Sequence, residues 1–157
     1  EKKWSESVTH SYFQTYMIGR STITTEALIH LTMGGPSPIY NGGLLKVSVR
    51  HFDADRKRPG LPPDVSALVS RIDDAGIDLT LVNQHPIESR RLIVQAGAFA
   101  EHSFTTATYT DDDGDAAAVE VNGEYVEFEL GPGTVLDVNL GVKRFCRQPS
   151  YQLPWDR

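Results

Sequence analysis

The chain of 157 residues has a single cysteine, Cys146. It can form no intrachain disulfide and no cysteine-based metal cluster. Positive charge is also in short supply: 15 Lys and Arg stand against 21 Asp and Glu, a formal net charge of −6. A duplex nucleic-acid partner is therefore not expected, because a phosphate backbone needs concentrated cations. The short basic groups "RKRP" (Arg56 to Pro59) and "SRR" (Ser89 to Arg91) read as solvated loop tips. No apolar run approaches the roughly 20 residues that span a bilayer, so no membrane partner is expected. The lone thiol leaves both a cytoplasmic and a secreted setting open.

Several chemistries lack their signatures. There is no G-x-S-x-G elbow, and Cys146 has no His close by in sequence. "MGGPSP" and "YNGG" have neither the spacing nor the following Lys-Ser of a phosphate loop. The chain begins at Glu1 with no Met and no basic-then-apolar leader, and it reads as a piece of a longer polypeptide.

Hydrophobic residues make up 39% and charged residues 23%, an ordinary globular balance. Residues 1–43 read as a helical lead-in. Within it, "TTEALIHLTMGGPSP" predicts a helix, capped by Thr24 or Thr25 with Glu26 at its positive end and stopped by Gly34-Gly35-Pro36. From Leu44 the period changes to two. In "LLKVSVRHFD", Leu45, Val47, Val49 and His51 share one face, while Lys46, Ser48, Arg50 and Phe52 share the other. "DADRKRPGLPP" is too rich in Pro and charge for a strand. "DVSALVSRI" has Val65, Leu68, Val69 and Ile72 at helical spacing and reads as a short helix opened by Asp64, with a strand as the alternative.

Short strands follow: "IDLTLVN", "RRLIVQA", "HSFTTATY", and the clearest hairpin of the chain, "AAVEV-NG-EYVEFEL", in which Asn122-Gly123 supplies a type I′ turn. In "TVLDVNLGVKRF", Leu136, Val138, Leu140 and Val142 form the inward set. About seven strands at this spacing predict a mainly β fold, an antiparallel β-sandwich of jelly-roll or immunoglobulin-like type over residues 44–146. Residues 147–157, with Tyr151 and Trp155, read as an extended tail lying on a neighbouring surface.

Candidate sites fall into four groups. Carbohydrate contact needs planar and multidentate polar groups, which Tyr40 and Asn41 offer on one loop and Asn83, Gln84, His85, Glu88 and Arg90 on another. A transition metal (copper, iron or zinc) needs an N/O set, which His51, Asp53, Glu101 and His102 would supply if the fold gathered them. The segment "DDDGD" suggests a weak calcium site at Asp111, Asp113 and Asp115, but its Gly stands fourth and not sixth, so it reads first as a polar hairpin tip. Paired carboxylates for glycoside chemistry are available at Glu88, Glu101, Glu127 and Glu129, although no pair is singled out.

The succession of a Gly-Pro-terminated helix, "LTLVNQHPIESRRLIVQAG" and "VEFELGPGTVLDVNLGVKRF" resembles the C-terminal accessory β-sandwich region of multidomain carbohydrate-active enzymes, over Leu44 to Phe145. The resemblance is one of strands and turns, and no functional residue is carried over by it. It implies a module of a larger glycan-processing protein, of glycoside hydrolase or polysaccharide lyase type. Such a module supports a catalytic part on the same polypeptide or on a catalytic subunit, contacts carbohydrate, and needs no cofactor of its own. Two alternatives compete: a small jelly-roll or cupin-like metalloenzyme that acts on carbohydrate using the four metal candidates, and a protein-interaction domain using the helix and aromatic tail.

Overall fold

The computed structural model describes residues 26–35, 46–110 and 115–156. The chain forms two antiparallel sheets packed face to face, with one short helix, α1 (Glu26–Met33). The strands are β1 (Val49–Asp53), β2 (Arg58–Pro59), β3 (Val65–Ile72), β4 (Gly76–Asn83), β5 (Arg90–Ala96), β6 (Ser103–Thr110), β7 (Ala116–Gly123), β8 (Tyr125–Leu130) and β9 (Val135–Lys143). One sheet has the order β2-β1-β5-β8 and the other β3-β4-β9-β6-β7. The predicted β-sandwich is therefore the observed architecture. No helix among the described residues is long and apolar enough to cross a membrane.

Period-two alternation builds the core. Ile77, Leu79 and Leu81 of β4, Leu92 and Val94 of β5, and Val138, Leu140 and Val142 of β9 are buried between the sheets, with Phe104 among them. Burying each such Leu or Phe contributes about 1.5–3 kcal/mol before chain entropy is counted.

Several sequence expectations are overturned. "DVSALVSRI" is not a helix: it is β3, paired antiparallel with β4 from Val65↔Asn83 to Ile72↔Ile77. Val65, Ala67 and Val69 face inward while Ser66, Leu68 and Ser70 face out. The β-branched residues and an eight-residue partner strand outweigh a coincidental helical spacing. Asp64 opens no helix; it stands at φ 62° in the bend before β3, and its carbonyl accepts from Gln84 N.

The Asn122-Gly123 hairpin is also absent. Gly123 pairs with Phe104 in the five-stranded sheet, and Tyr125, two residues on, pairs with Gln95 in the four-stranded one. Asn122 takes the left-handed backbone at φ 48°, so the dipeptide turns a corner between sheets and closes no hairpin. Glu124 fixes the corner, its carbonyl accepting from Ala96 N and its carboxylate meeting Arg147 at 2.8 Å. The true hairpin of this region is β6–β7, with Thr110 opposite Ala116, and "DDDGD" is its connection.

"DADRKRPGLPP" does contain a strand, though only the two residues of β2, with Phe52↔Pro59 and Asp53↔Arg58. Pro59 is tolerated because β2 is an edge. Helix α1 forms as expected and ends at Gly34, φ 60°. Thr24, Thr25 and the predicted strand start at Leu44 and Leu45 lie outside the described residues. Docking α1 on β1 satisfies carbonyls at its C-terminal end: Thr32 accepts from the His51 ring, Met33 from Ser48 N, and Gly34 from the Ser48 hydroxyl.

The tail folds back on the domain itself. Trp155 stands edge-on to Phe52 at 5.8 Å between centroids, Pro154 is buried, and Ser150 N donates to Phe99 O. Phe52, on the face of β1 expected to be polar, is fully buried under this cover.

Candidate functional site

The β4–β5 connection brings its polar residues together. Pro86 and the bend after it fold the chain so that His85 Nδ1 accepts from Ile87 N and Glu88 N, at 3.3 and 2.9 Å. The ring proton therefore sits on Nε2, which faces Glu88 Oε2 at 3.7 Å. Arg90 donates to Glu88 at 2.6 Å, to Asp64 at 3.3 Å and to the Pro63 carbonyl at 3.1 Å. The Arg90 hydrogen bond, helped by the His85 charge interaction, holds the Glu88 carboxyl below its ordinary range. Asn83 is fully buried and fastens the same corner, donating to the carbonyls of Glu88, Leu130 and Gly131 and accepting from His85 N. Gln84 donates to Ser66. His85, Glu88 and Arg90 thus form one network that closes a corner. Tyr40 and Asn41, the other carbohydrate candidates, lie outside the described residues.

The metal candidates do not converge. His51 and Asp53 lie on β1, and each is committed locally. His51 Nε2 donates to the Thr32 carbonyl at 2.6 Å; burial pushes its pKa down, and that hydrogen bond offsets the shift in part. Its Nδ1 is buried with no partner among the described residues. Asp53 Oδ1 accepts from Arg56 N. Asp53 Oδ2 is 3.3 Å from Arg58 Nε, off the line a hydrogen bond needs.

Glu101 and His102 belong to the β5–β6 connection. The Glu101 carboxylate accepts from Ala98 N and Phe99 N; Gly97, at φ 89°, leaves room where a Cβ would strike that carboxylate. His102 Nδ1 accepts from Phe145 N at 2.9 Å, so Nε2 carries the proton and faces Glu101 Oε1 at 3.8 Å. Burial lowers the His102 pKa, against the nearby Glu101 charge. His51 and His102 line different cavities. Among the described residues no three His, Cys, Asp or Glu side chains gather as a metal ion requires. The described residues do not gather the four candidates at one ion: His51 and Asp53 stand on β1, Glu101 and His102 in and beside the β5–β6 connection. Of the calcium candidates, Asp111 and Asp113 lie outside the described residues.

Two surfaces escaped the sequence reading. One is an apolar groove of about 680 Å³ between α1, β1 and β3, lined by Leu28, Leu31, Met33, Val65 and Leu68, with His51 beside them. Leu28 is 63% exposed and Leu31 52%. The other is a polar groove of about 380 Å³ on the outer face of the five-stranded sheet, where Ser70, Asp78, Thr80, Thr108, Asp137 and Asn139 come from four strands. Nothing in the sequence pointed to this second groove, because each residue simply occupies the outward position of its own strand.

Together these features define an antiparallel β-sandwich whose clustered ionisable groups hold loops and a helix in place. No family model, no curated protein and no solved structure matches the chain.

Proposed function

We propose that the chain is a supporting β-sandwich module of a larger glycan-processing protein, packing against a catalytic part and contacting carbohydrate. The observation that carries the supporting role is the apolar groove beside α1. Exposed leucines contributed by both a helix and a strand favour burial against another protein surface. The commitment of His51, His85, Glu88, Glu101 and His102 to backbone groups or to one another speaks for the same role, since a general acid or base needs a side chain free to exchange a proton with substrate. The glycan-processing part of the reading rests on the strand-and-turn resemblance.

The test is to express the full reading frame that contains the chain, as it stands and with Leu28→Ser and Leu31→Ser. The double variant is expected to lower the melting temperature of the catalytic part while leaving the melting of the sandwich unchanged. The isolated 157-residue chain is expected to cleave no polysaccharide. Glycan cleavage by the isolated chain would overturn the reading.

A further inference from the structure

The groove on the five-stranded sheet is built by strand alternation alone. Asp78 and Thr80 alternate with Ile77, Leu79 and Leu81 on β4; Asp137 and Asn139 alternate with Val138 and Leu140 on β9; Thr108 follows buried Ala107 on β6. Registers Thr80↔Asp137, Asp78↔Asn139 and Thr108↔Asn139 set these side chains beside one another in two rows. Part of their hydrogen-bonding capacity is used internally. Arg71 and Asn139 both donate to Asp78, at 2.6 Å each, and the Thr80 hydroxyl donates to Asp137. The first two bonds hold the Asp78 carboxyl below its ordinary range.

These bonds fix the rotamers and leave the rest open to a ligand. Asp137 Oδ2, the side-chain oxygen of Asn139 and the Thr108 hydroxyl make no hydrogen bond to the described residues. A carboxylate and a carboxamide held by neighbouring side chains, with the Thr108 hydroxyl beside them in register, match the vicinal hydroxyls of a pyranose, each of which both donates and accepts. Charge narrows the class. Two carboxylates face the groove, and the guanidinium nearest them, Arg71, is engaged by Asp78 and Asp73. A uronate, sulfate or phosphate would meet uncompensated negative charge.

We infer that this sheet face, through Thr80, Thr108, Asp137 and Asn139, binds a chain of neutral sugar residues. The inference rests on the glycan half of the proposed function and moves the carbohydrate contact from the His85–Arg90 corner to the open sheet. It is tested by following backbone amide shifts of the isotope-labelled 157-residue chain during titration with cellohexaose, xylohexaose, mannohexaose and maltohexaose, with polygalacturonate and calcium chloride as separate arms. At least one neutral hexaose is expected to give saturable shifts centred on residues 78–80, 108 and 137–139. Asp137→Ala and Asn139→Ala are expected to weaken that binding about tenfold each, the loss of one good hydrogen bond, while Glu88→Gln leaves it unchanged. Should either of those variants unfold, the exposed Thr108→Ala keeps the test open, with a several-fold loss expected. No saturable shift with any hexaose would overturn the inference. So would shifts centred on residues 83–91, equal binding of the polyuronate, or a response to calcium alone. Glycan binding without the docking of the sandwich on a catalytic part would sink the supporting role and leave this site standing; the reverse result would do the opposite.

Discussion

The two sheets share one core and present opposite outer faces. On the four-stranded sheet, Phe52 lies under Trp155 with the Arg50 guanidinium 5.0 Å from its ring centre, and Arg91 bridges to Glu127 on the neighbouring strand. On the five-stranded sheet, short polar side chains stand in register with nothing from the described chain folded over them. The first face is packed, so substitutions there act on stability. The second is left uncovered by the described residues, so substitutions there act on whatever the face meets.

The largest break comes from the layer both sheets share. Phe104→Ala is expected to cost about 3–5 kcal/mol, read as a lower denaturant midpoint with both sheets melting together; loss of one sheet alone would contradict a single core. Trp155→Ala uncovers Phe52 and should cost about 2 kcal/mol in the same measurement. Thr108→Ala on the open sheet should stay within about 0.5 kcal/mol. A loss as large as that at Trp155 would mean the second face is packed too.

Acidity should act through buried His51. Its folded-state pKa lies below the ordinary 6.5, so below that value the unfolded chain binds the proton more readily than the native one. Stability is then full above pH 6.5 and falls as pH drops toward the folded value, by up to about 1.4 kcal/mol per pH unit. His102, also lowered, acts in the same direction. His51→Gln, which keeps a donor for the Thr32 carbonyl, should flatten the slope of the denaturant midpoint between neutral and mildly acid pH.

The smallest effect is expected at the corner between the sheets. Gly123 has no unusual φ, and an added Cβ would meet only ordinary contacts at 3.7 and 3.9 Å. Gly123→Ala should therefore change the melting temperature little, whereas a type I′ hairpin would lose markedly. A large drop would restore the hairpin reading.

What could be read in advance follows from the range of the forces involved. Alternation in "IDLTLVN" or "TVLDVNLGV" is written in adjacent residues, so the sandwich and its inward sets were legible. The His85–Glu88–Arg90 network was legible as a cluster because it closes within a few residues, although its fastening role depends on Asn83 reaching Leu130 and Gly131. The errors came where a local pattern had two solutions. Val65 to Ile72 carries both a helical and a strand period, and pairing with β4 decides between them. Asn122-Gly123 favours a left-handed backbone in a hairpin and at a corner alike. The polar groove was illegible because Asp78 and Asn139, paired across strands, are distant in the chain, and only the sheet order makes them neighbours.

That order has a consequence for biosynthesis. β9 is made after β4 and β6, yet it lies between them and pairs with both. While it is still inside the ribosome, β4 and β6 each offer a row of unpaired amides and carbonyls to any passing chain. The interval before Val135–Lys143 emerges is therefore the one in which the nascent polypeptide is expected to be most prone to aggregation.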